Sequence, residues 1–408
     1  MSKVLIFAEP SSMQALRTAC EELGHEPVFL SEREATTPEP LHVLKTFGDA
    51  EKTAAEIRER FADPVGIVNC IEGYVELTET LSQLLNLPTK NGKAASALRD
   101  KSAMKKSWMA ADVATPRLYF AGTEEIPPLE SDNFPLVVKP VFGAASAGVT
   151  VVDNLDELQR ARRAVLRFNV TALAKEGHVH SGVLVEQYID GPEYCVDQVW
   201  SQGRPVASCV LSKGVPGRSD LLDRLYMVDP TIPDGIHARL VDTATKACAS
   251  VGVTCGATHT EIRIDPRDGT AFVIEAALRP GAGCGLYPVY QRAYGIPLFK
   301  TLVAACTGSD TPVYPSAPPR ESMRHYWYNT PYIDSGFIKE LKTPPNFYSQ
   351  HQCVDRVIWR RRVGDFLPRE GTTFGYLAWF EGILEPGDSP EVVLQAAAAD
   401  LIVKVAHD

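Results

Sequence analysis

The chain has 408 residues, of which 45% are hydrophobic and 23% are charged, as in globular proteins with a sizeable core. Its formal net charge of −10, with no basic cluster, gives no support for binding to nucleic acid or to an anionic membrane surface. No apolar run approaches the roughly 20 residues that span a bilayer, and the apolar start "KVLIFA" is too short for a signal peptide.

The N-terminal part of the chain alternates between strand and helix patterns. Strands are predicted at "KVLIFA", "EPVFL" and "VGIVNC", and helices at "SMQALRTACEEL", "AEKTAAEIRERFA" and "LTETLSQLLN". This alternation predicts a parallel, doubly wound sheet. Because "AEPSS" rather than GxGxxG follows the first strand, the sequence does not predict NAD binding.

The middle of the chain begins with the helical stretch "NGKAASALRDKSAMKKSWMAADV", followed by a hairpin and the helix "LDELQRARRAVLRF". Strands are then predicted at "GVLVEQYI", "YCVDQVW" and "PVASCVLS", before a loop rich in Gly, Pro and Asp near residues 214–235. The helix "HARLVDTATKACASVGV" precedes the strands "THTEIRI" and "TAFVIEAAL", and further helices are predicted over 286–306. After a proline-rich linker, strands and turns are expected, with a last helix over "SPEVVLQAAAADLIVKVA".

The predicted hairpin, "VVKPVFGAASAGVTVV", joins two β-branched runs by a loop of small residues. Gly143 and Gly148 frame this loop, and no Lys-Ser/Thr pair follows it as in a Walker A loop. Small side chains allow backbone N–H groups to surround an anion such as a phosphate. Lys139 adds a positive charge just before the loop. A flap over phosphates is one interpretation, and a plain hairpin with an ordinary strand lysine is the other.

Two glutamates lie on the pair of strands joined by the tight turn "DPRDG". In antiparallel pairing Glu261 and Glu275 can lie side by side, where they repel unless a cation such as Mg²⁺ lies between them. Arg279 follows closely and can bind a phosphoryl oxygen at two points. Two solvated strand glutamates are the alternative interpretation.

The segment "VLVEQYIDGPEYCVDQV" is a strand, a short connector and another strand. Main-chain groups on such a connector can bind an adenine edge, and an acidic residue beyond it can bind ribose hydroxyls. Glu186 and Glu193 are the candidates. A simple strand pair with surface acids is the alternative.

Taken together and in their order along the chain, these segments resemble the ATP-grasp superfamily over nearly the whole sequence. "RDKSAMKKSWMAADVATP" looks like the family's first lysine segment, which implies that Lys101 binds nucleotide phosphate. "FPLVVKPVFGAASAGVTVV" is similar to the second lysine and its flap. This similarity implies phosphate contacts from Lys139 and from the flap residues Gly143, Ala144, Ala145, Ser146 and Gly148.

The resemblance also covers the adenine hinge. "VLVEQYIDGPEY" is similar to that segment, which implies that Glu186 binds the adenine amino group and Glu193 the ribose. Tyr188 and Ile189 then offer main-chain contacts to the base.

"GATHTEIRIDPRDGTAFVIEAALRPGAG" looks like the family's metal strands. This similarity implies that Glu261 and Glu275 bind Mg²⁺, with Mn²⁺ as an alternative ion, and that Arg279 contacts the reacting phosphoryl or acyl-phosphate group. Many relatives have Asn, a third metal ligand, two residues after the second glutamate. This chain has Ala277 there, which puts the coordination of a second Mg²⁺ in doubt.

The resemblance implies an α/β protein with the ATP-grasp fold. A Rossmann-like N-terminal (pre-ATP-grasp) domain is expected over 1–95. The central lobe with the flap (96–200) and the C-terminal lobe with the metal site (201–310) form a two-lobed α+β nucleotide site. A small C-terminal subdomain of mixed strands, over 311–408, closes the site.

The stretch "GATHTE" resembles the branch of the family that contains L-amino acid ligases, and it makes His259 a candidate for the substrate pocket. A structural histidine is the alternative. Glu72 and Cys284 could also face substrate, although structural or solvating roles fit them better. The branch implies an ATP-dependent, ADP-forming ligase that joins an amino acid, or a similar small acid, to an amino-acid amine. A biotin-carboxylase-like enzyme that activates bicarbonate and a non-catalytic ATP-binding regulator are the alternatives.

The expected partners are small carboxylate and amine substrates, without nucleic acid or membrane. A homodimer is compatible with the sequence, since relatives are often dimers. Nine scattered cysteines without a CxxC pair favour a reducing cytoplasm over a disulfide framework or a zinc site.

Overall fold

The computed structural model describes residues 1–144, 146–172, 181–218, 221, 223–318, 323–331, 334–367 and 376–406. Four β-sheets organise this part of the chain, and together they confirm the predicted α/β class. No helix in these ranges is both long enough and apolar enough to cross a membrane.

The chain begins with a parallel sheet of four strands: β1 (Ser2–Phe7), β2 (His25–Ser31), β3 (Leu41–Val43) and β4 (Pro64–Asn69). Their order in the sheet is β3-β2-β1-β4. Three helices accompany them: α1 (Pro10–Glu22), α2 (Ala50–Arg60) and α3 (Val75–Leu84). Strands β1, β2 and β4 have consecutive buried residues, as expected for a parallel sheet covered by helices, whereas β3 is only partly buried.

Two short helices lead into a second sheet: α4 (Lys93–Ala97) and α5 (Lys101–Ala110). The antiparallel strands of this sheet are β5 (Leu118–Gly122), β6 (Leu136–Pro140), β7 (Thr150–Val152) and β8 (Val183–Gln187), in the order β5-β8-β6-β7. Helix α6 (Leu155–Thr171) packs on it and begins at Asn154, whose side chain accepts a hydrogen bond from the Glu157 N–H. Strands β6 and β7 form the predicted hairpin.

The next part of the chain contains five strands: β9 (Glu193–Ser201), β10 (Arg204–Gly214), β11 (Leu225–Met227), β12 (Gly256–Ile264) and β13 (Ala271–Ala277). Three helices belong to it: α7 (Asp234–Ser250), α8 (Tyr287–Tyr294) and α9 (Leu298–Thr307). Helix α9 also contacts α1 and β4. The largest group of buried apolar side chains therefore spans the N-terminal sheet and these elements.

The C-terminal part contributes β14 (Arg324–Asn329), β15 (Gly336–Lys342), β16 (Val354–Trp359), β17 (Phe366–Leu367), β18 (Ala378–Leu384) and β19 (Ile402–Ala406). Its helices are α10 (Phe347–Gln350) and α11 (Pro390–Ala399). The helix predicted to run to the end of "LIVKVA" is wrong there, because α11 ends at Ala399 and β19 pairs with β15. The β-branched residues Ile402, Val403 and Val405 favour a strand once such a partner edge is available.

One antiparallel sheet of eight strands, in the order β13-β12-β9-β10-β11-β14-β18-β16, runs through the second half of the chain. A separate three-stranded sheet has the order β17-β15-β19. Along the chain its strands alternate with β14, β16 and β18 of the larger sheet. The eight-stranded sheet continues across the positions 200/201 and 310/311 that we used to divide the chain, so the division into four domains stays a prediction.

Candidate active site

A cavity of about 730 Å³ is lined by residues from the N-terminal sheet, the flap hairpin, the eight-stranded sheet and the C-terminal part. It brings together nearly all the predicted site residues: Lys101, Lys139, Gly143, Ala144, Ser146, Glu186, Tyr188, Ile189, Glu193, His259, Glu261, Glu275 and Arg279. Gly148 does not line the cavity; it lies against Pro140 and Phe168. Ala145 lies outside the described residues.

The two candidate metal ligands face each other as predicted. Glu261 on β12 is directly opposite Glu275 on β13. The Lys213 ammonium lies 3.2 Å from Glu261 Oε1, and the Lys101 ammonium lies 3.1 Å from Glu275 Oε1. Burial raises the pKa of Glu261, but Lys213 and His259 outweigh it, and the pKa ends well below the ordinary value. The Glu261 carboxylate therefore remains ionised in the cavity wall.

Lys101 connects the flap to this pair. It is the first residue of α5, whose N-terminus is capped by the Asp100 carboxylate through the N–H groups of Ser102 and Ala103. The Lys101 Nζ donates a hydrogen bond of 2.7 Å to the Gly143 carbonyl at the start of the flap. Gly143 has φ +117°, a conformation that suits glycine.

Lys139 lies on β6 and is buried together with Glu186 on the neighbouring strand β8. Its Nζ is 2.5 Å from Glu186 Oε1, and the Nζ of Lys105 is 2.7 Å from Oε2. Burial lowers the pKa of Lys105 to about 8 even though Glu186 opposes the shift. Both oxygens of Glu186 thus bind lysines. No motif in the sequence pointed to Lys105.

A second buried ionic cluster surrounds Glu193. Its Oε2 accepts a 2.7 Å hydrogen bond from Arg263, and its Oε1 pairs with Lys213. The same lysine ammonium is 2.5 Å from Asp223 Oδ1. Oxygens of Glu193, Asp223 and Glu261 all lie within 4.8 Å of one another, and the Lys213 ammonium contacts all three carboxylates. Sequence reasoning missed Lys213 and Asp223; a lysine at the end of the apolar run "VASCVLSK" was the available signal.

Arg279 is oriented by a carboxylate from the N-terminal part. Its Nε donates to Glu72 Oε2 at 2.8 Å, and the Arg99 guanidinium donates to Glu72 Oε1 at the same distance. Burial raises the pKa of Glu72, but Arg279 and Arg99 outweigh it, so the pKa lies below the ordinary value. Glu72 therefore lines the cavity as an ionised partner of the candidate catalytic arginine.

His259 is buried and its Nδ1 pairs with Asp197 on β9. Burial lowers its pKa, but Asp197 raises it more, so the pKa of the imidazole is well above the ordinary value. The other oxygen of Asp197 accepts a 2.9 Å hydrogen bond from the N–H of Gly281, in the loop after Arg279. A side chain at Gly281 would approach His259 Nδ1 within 2.8 Å, so this contact requires glycine. Cys284 lies in the same loop, fully buried, with its Sγ 3.2 Å from that of Cys70.

The opposite wall of the cavity comes from the C-terminal part. Trp327 on β14 and Trp379 on β18 have ring centroids 4.4 Å apart, and the indole N–H of Trp327 donates to Asn329 Oδ1 at 3.1 Å. The guanidinium carbon of Arg360 lies 3.9 Å from the centroid of the Trp379 ring. No motif in the sequence pointed to this wall.

Comparisons with known proteins relate this chain to ATP-grasp enzymes. A sequence profile of the ATP-grasp domain matches residues 132–287. The D-alanine–D-alanine ligase B of Pseudomonas syringae pv. tomato is 31% identical over 237 residues, which cover 55% of this chain and 69% of that protein. The D-alanine–D-alanine ligase of Gloeobacter violaceus is 30% identical over 232 residues, covering 52% of this chain and 70% of the relative.

Two solved structures share the fold over almost the whole chain. The L-amino acid ligase from Bacillus licheniformis superposes with a TM-score of 0.84 at 23% identity, covering 100% of this chain and 99% of that one. The biotin carboxylase from Campylobacter jejuni gives a TM-score of 0.68 at 18% identity, covering 99% of this chain and 92% of that one. Together with the sequence relatives, these matches establish that the chain belongs to the ATP-grasp family, in its carboxylate–amine ligase branch, and is an ATP-dependent ligase that forms C–N bonds.

Proposed function

We propose that the protein joins the carboxylate of one amino acid, or of a similar small acid, to the amine of another amino acid. The donor carboxylate attacks the γ-phosphorus of ATP and forms an acyl phosphate and ADP. The amine then attacks the acyl carbon, phosphate leaves, and the nitrogen loses one proton to give the amide. A protein catalyses such steps mainly by positioning its reactants and by neutralising charge.

The nucleotide side of the cavity supports this assignment. We assign the ATP phosphates to Lys101, Lys139 and the flap, since two buried ammonium groups and small flap residues suit polyphosphate. Tyr188 and Ile189, between the two sheets, are the proposed main-chain contacts to adenine.

Glu193 is the proposed ribose ligand. For Glu186 the ion pairs with Lys139 and Lys105 suggest that it orients Lys139 as well as facing the base.

The residues present fit a divalent cation. Glu261 and Glu275 lie opposite each other on paired strands, and their carboxylate oxygens are the kind of ligand that Mg²⁺ binds. A lysine ammonium contacts each carboxylate and offsets part of its negative charge. We propose that these two glutamates bind Mg²⁺, or Mn²⁺, which would neutralise charge on the triphosphate. Ala277, opposite His259, offers no ligand atom.

We assign the reacting end of the cavity to Arg279 and His259. Arg279 is fixed by Glu72 and can direct its remaining N–H groups toward a phosphoryl oxygen. The cationic His259, whose Nε2 is 3.8 Å from Glu261 Oε1, adds a second positive group there. Their partners, Glu72 and Asp197, hold both cations in fixed directions.

One observation supports the proposal most strongly: the opposed pair Glu261 and Glu275 lies in the same cavity as Lys101, Lys139 and Arg279. The test is ADP release from Mg-ATP with each of the twenty L-amino acids and D-alanine, singly and in pairs, with mass spectrometry of the products. A product mass equal to the two acids minus water is expected for at least one pair, and none with the Glu275→Ala variant.

The two alternatives predict different outcomes in the same assay. ADP release that depends on bicarbonate, with no condensed product, would favour the carboxylase-like function. ATP binding without ADP release under any condition would favour the regulator.

We further propose that the enzyme acts in the reducing cytoplasm and as a homodimer. All nine cysteines are free thiols, which is compatible with a reducing compartment. Light scattering of the purified protein measures the oligomeric state directly, and a monomer mass at working concentration would contradict the dimer.

A further inference from the structure

We propose that Arg360 binds the free carboxylate of the amine substrate, so that the acceptor is an amino acid rather than a simple amine. This inference rests on the proposed ligase function and adds a second anion-binding position to the same cavity. It concerns a residue of the C-terminal part that no ATP-grasp motif of the sequence includes.

Arg360 differs from Arg279 and Arg263, which also line the cavity. Arg279 pairs with Glu72, and Arg263 pairs with Glu193. Within the described ranges, by contrast, no carboxylate forms an ion pair with Arg360, whose guanidinium lies over the Trp379 ring. Its side chain is exposed and lines the cavity, so a ligand can reach it. A guanidinium in this situation is ready to bind an external anion.

The stacking fixes the direction of the guanidinium. Trp379 is buried, packs on Trp327, and lies opposite Asn329 in the pairing of β14 with β18. A guanidinium whose carbon lies 3.9 Å from the centre of such a ring keeps N–H groups available for a planar carboxylate, which can accept two hydrogen bonds at once. Because less side-chain freedom is lost on binding, this geometry favours specific recognition of a carboxylate.

A negative group lies nearby and completes a site for a zwitterion. The Arg360 side chain is open to water. Partial burial nevertheless lowers the pKa of Arg360, and the Glu9 carboxylate opposes this shift. The two charges are therefore within electrostatic range of each other. Glu9 also lies against the loop that follows Arg279, since a side chain at Gly283 would come within 2.9 Å of its Cγ.

This arrangement orders the acceptor in the cavity. An amino acid with its carboxylate on Arg360 and its ammonium toward Glu9 presents its nitrogen on the side of Arg279. The donor carboxylate needs the γ-phosphate and therefore lies at the other end, near Arg279, Glu261 and Glu275. The two carboxylates are thus kept apart, and the acceptor carboxylate is not phosphorylated.

The test compares an acceptor amino acid with its carboxamide, using the donor and acceptor found in the pairwise screen. The wild-type protein should prefer the free acid by about tenfold or more in kcat/KM, as expected for a charge-assisted, two-point contact. In Arg360→Gln this preference should fall to nearly one, while the KM for ATP stays unchanged. Arg362→Gln is the matched control, because Arg362 is 88% exposed, pairs with Asp365 and lies outside the cavity lining.

The outcomes separate this inference from the proposed function. If the wild-type protein condenses the pair but uses acid and amide equally, or if Arg360→Gln retains the preference, the assignment of Arg360 is wrong and the ligase function stands. A loss in Arg360→Gln confined to donors with an acidic side chain would likewise overturn the assignment to the acceptor. If no pair is condensed by the wild-type protein, the proposed joining of two amino acids and this inference fail together.

Discussion

The ammonium of Lys139 lies 2.5 Å from the Glu186 carboxylate, and both side chains are buried in the wall of the candidate active-site cavity. Lys105 binds the other oxygen of the same carboxylate. Groups so far from water retain their charge only with partners, so this triad fixes Lys139 in one direction. Because Lys139 is already held in one direction, it would lose little side-chain freedom on binding a phosphate.

The Glu186→Gln variant should lose both stability and nucleotide affinity. Two buried ammonium groups would then face each other without a counter-charge, at a cost of roughly 3 kcal/mol in the free energy of unfolding. The KM for ATP should rise by about tenfold, since Lys139 is no longer held. Urea unfolding and ADP release measure the two effects. Glu59→Gln, an exposed change on α2, is the control, and an unchanged unfolding midpoint in Glu186→Gln would contradict the triad.

Arg279→Lys should reduce kcat by about 100-fold or more while ATP still binds. One ammonium cannot keep the Glu72 contact and also bind a phosphoryl oxygen at two points. Steady-state ADP release and nucleotide binding by calorimetry separate these effects. Arg267→Lys provides the matched control, because Arg267 is an exposed arginine that also pairs with a carboxylate, that of Asp265. A kcat within threefold of the wild-type value would show that Arg279 is not a catalytic residue.

Asp197→Asn should lower kcat by about 100-fold, because Asp197 orients both His259 and the loop after Arg279. If it acts through His259, the double variant with His259→Asn should be little worse than either single variant. Kinetics of the three proteins measure this coupling. Fully additive losses would show that the two residues act separately.

Ala277→Asn should increase the number of metal ions bound. The alanine offers no ligand atom, and the Lys213 ammonium already contacts Glu261, so we expect one tightly bound Mn²⁺ per chain in the presence of ADP. The asparagine adds an amide oxygen two residues after Glu275. Electron paramagnetic resonance titration of free Mn²⁺ counts the bound ions without turnover. Two equivalent ions in the wild-type protein would contradict this expectation.

The contribution of Glu72 to stability should depend on pH in the acid range. Burial raises its pKa, but Arg279 and Arg99 outweigh this and hold the pKa of the folded state below the unfolded value of about 4.3. The group then stabilises the fold fully above that pH, and the effect is lost as the pH falls through the lower, folded pKa. The difference in unfolding free energy between wild type and Glu72→Gln should therefore shrink below about pH 4. A difference that stays constant from pH 7 to pH 3 would show that Glu72 acts without its charge.

Local patterns were sufficient for most of the fold. The apolar runs around Leu5, Val28 and Ile67 predicted the parallel sheet, and the alternation in "THTEIRI" predicted the strand that carries Glu261. The last strand was mistaken for helix because "LIVKVA" has its pairing partner only in β15, about sixty to seventy residues earlier. Strands β3, β5 and β11 were missed because they are short and depend on neighbouring strands.

The candidate site residues that lie on a strand or in the glycine-containing flap could be predicted from local sequence patterns. Glu261, Glu275 and Lys139 were predicted to lie together because their spacing matches a family pattern, and all three line the cavity. Residues that act as partners could not be found in this way, since Asp197 and Lys105 meet their partners only through the fold. Glu72 was weighed as structural because nothing local connects it with Arg279, which lies 207 residues away in the chain.

The continuous sheet constrains how such a ligase can change its substrates in evolution or by engineering. The groups assigned to ATP lie at or before Arg279, whereas Trp327, Arg360 and Trp379 come from the last part of the chain. A chimera that replaces this last part would exchange the acceptor side and keep the phosphate chemistry. Its junction must preserve the pairing of Leu225 with Tyr328, because otherwise two strand edges are left open and prone to aggregate. The pairing of β11 with β14 is therefore the contact that a chimera must keep in order to fold. The residues after this junction can change, and with them the range of acceptor substrates.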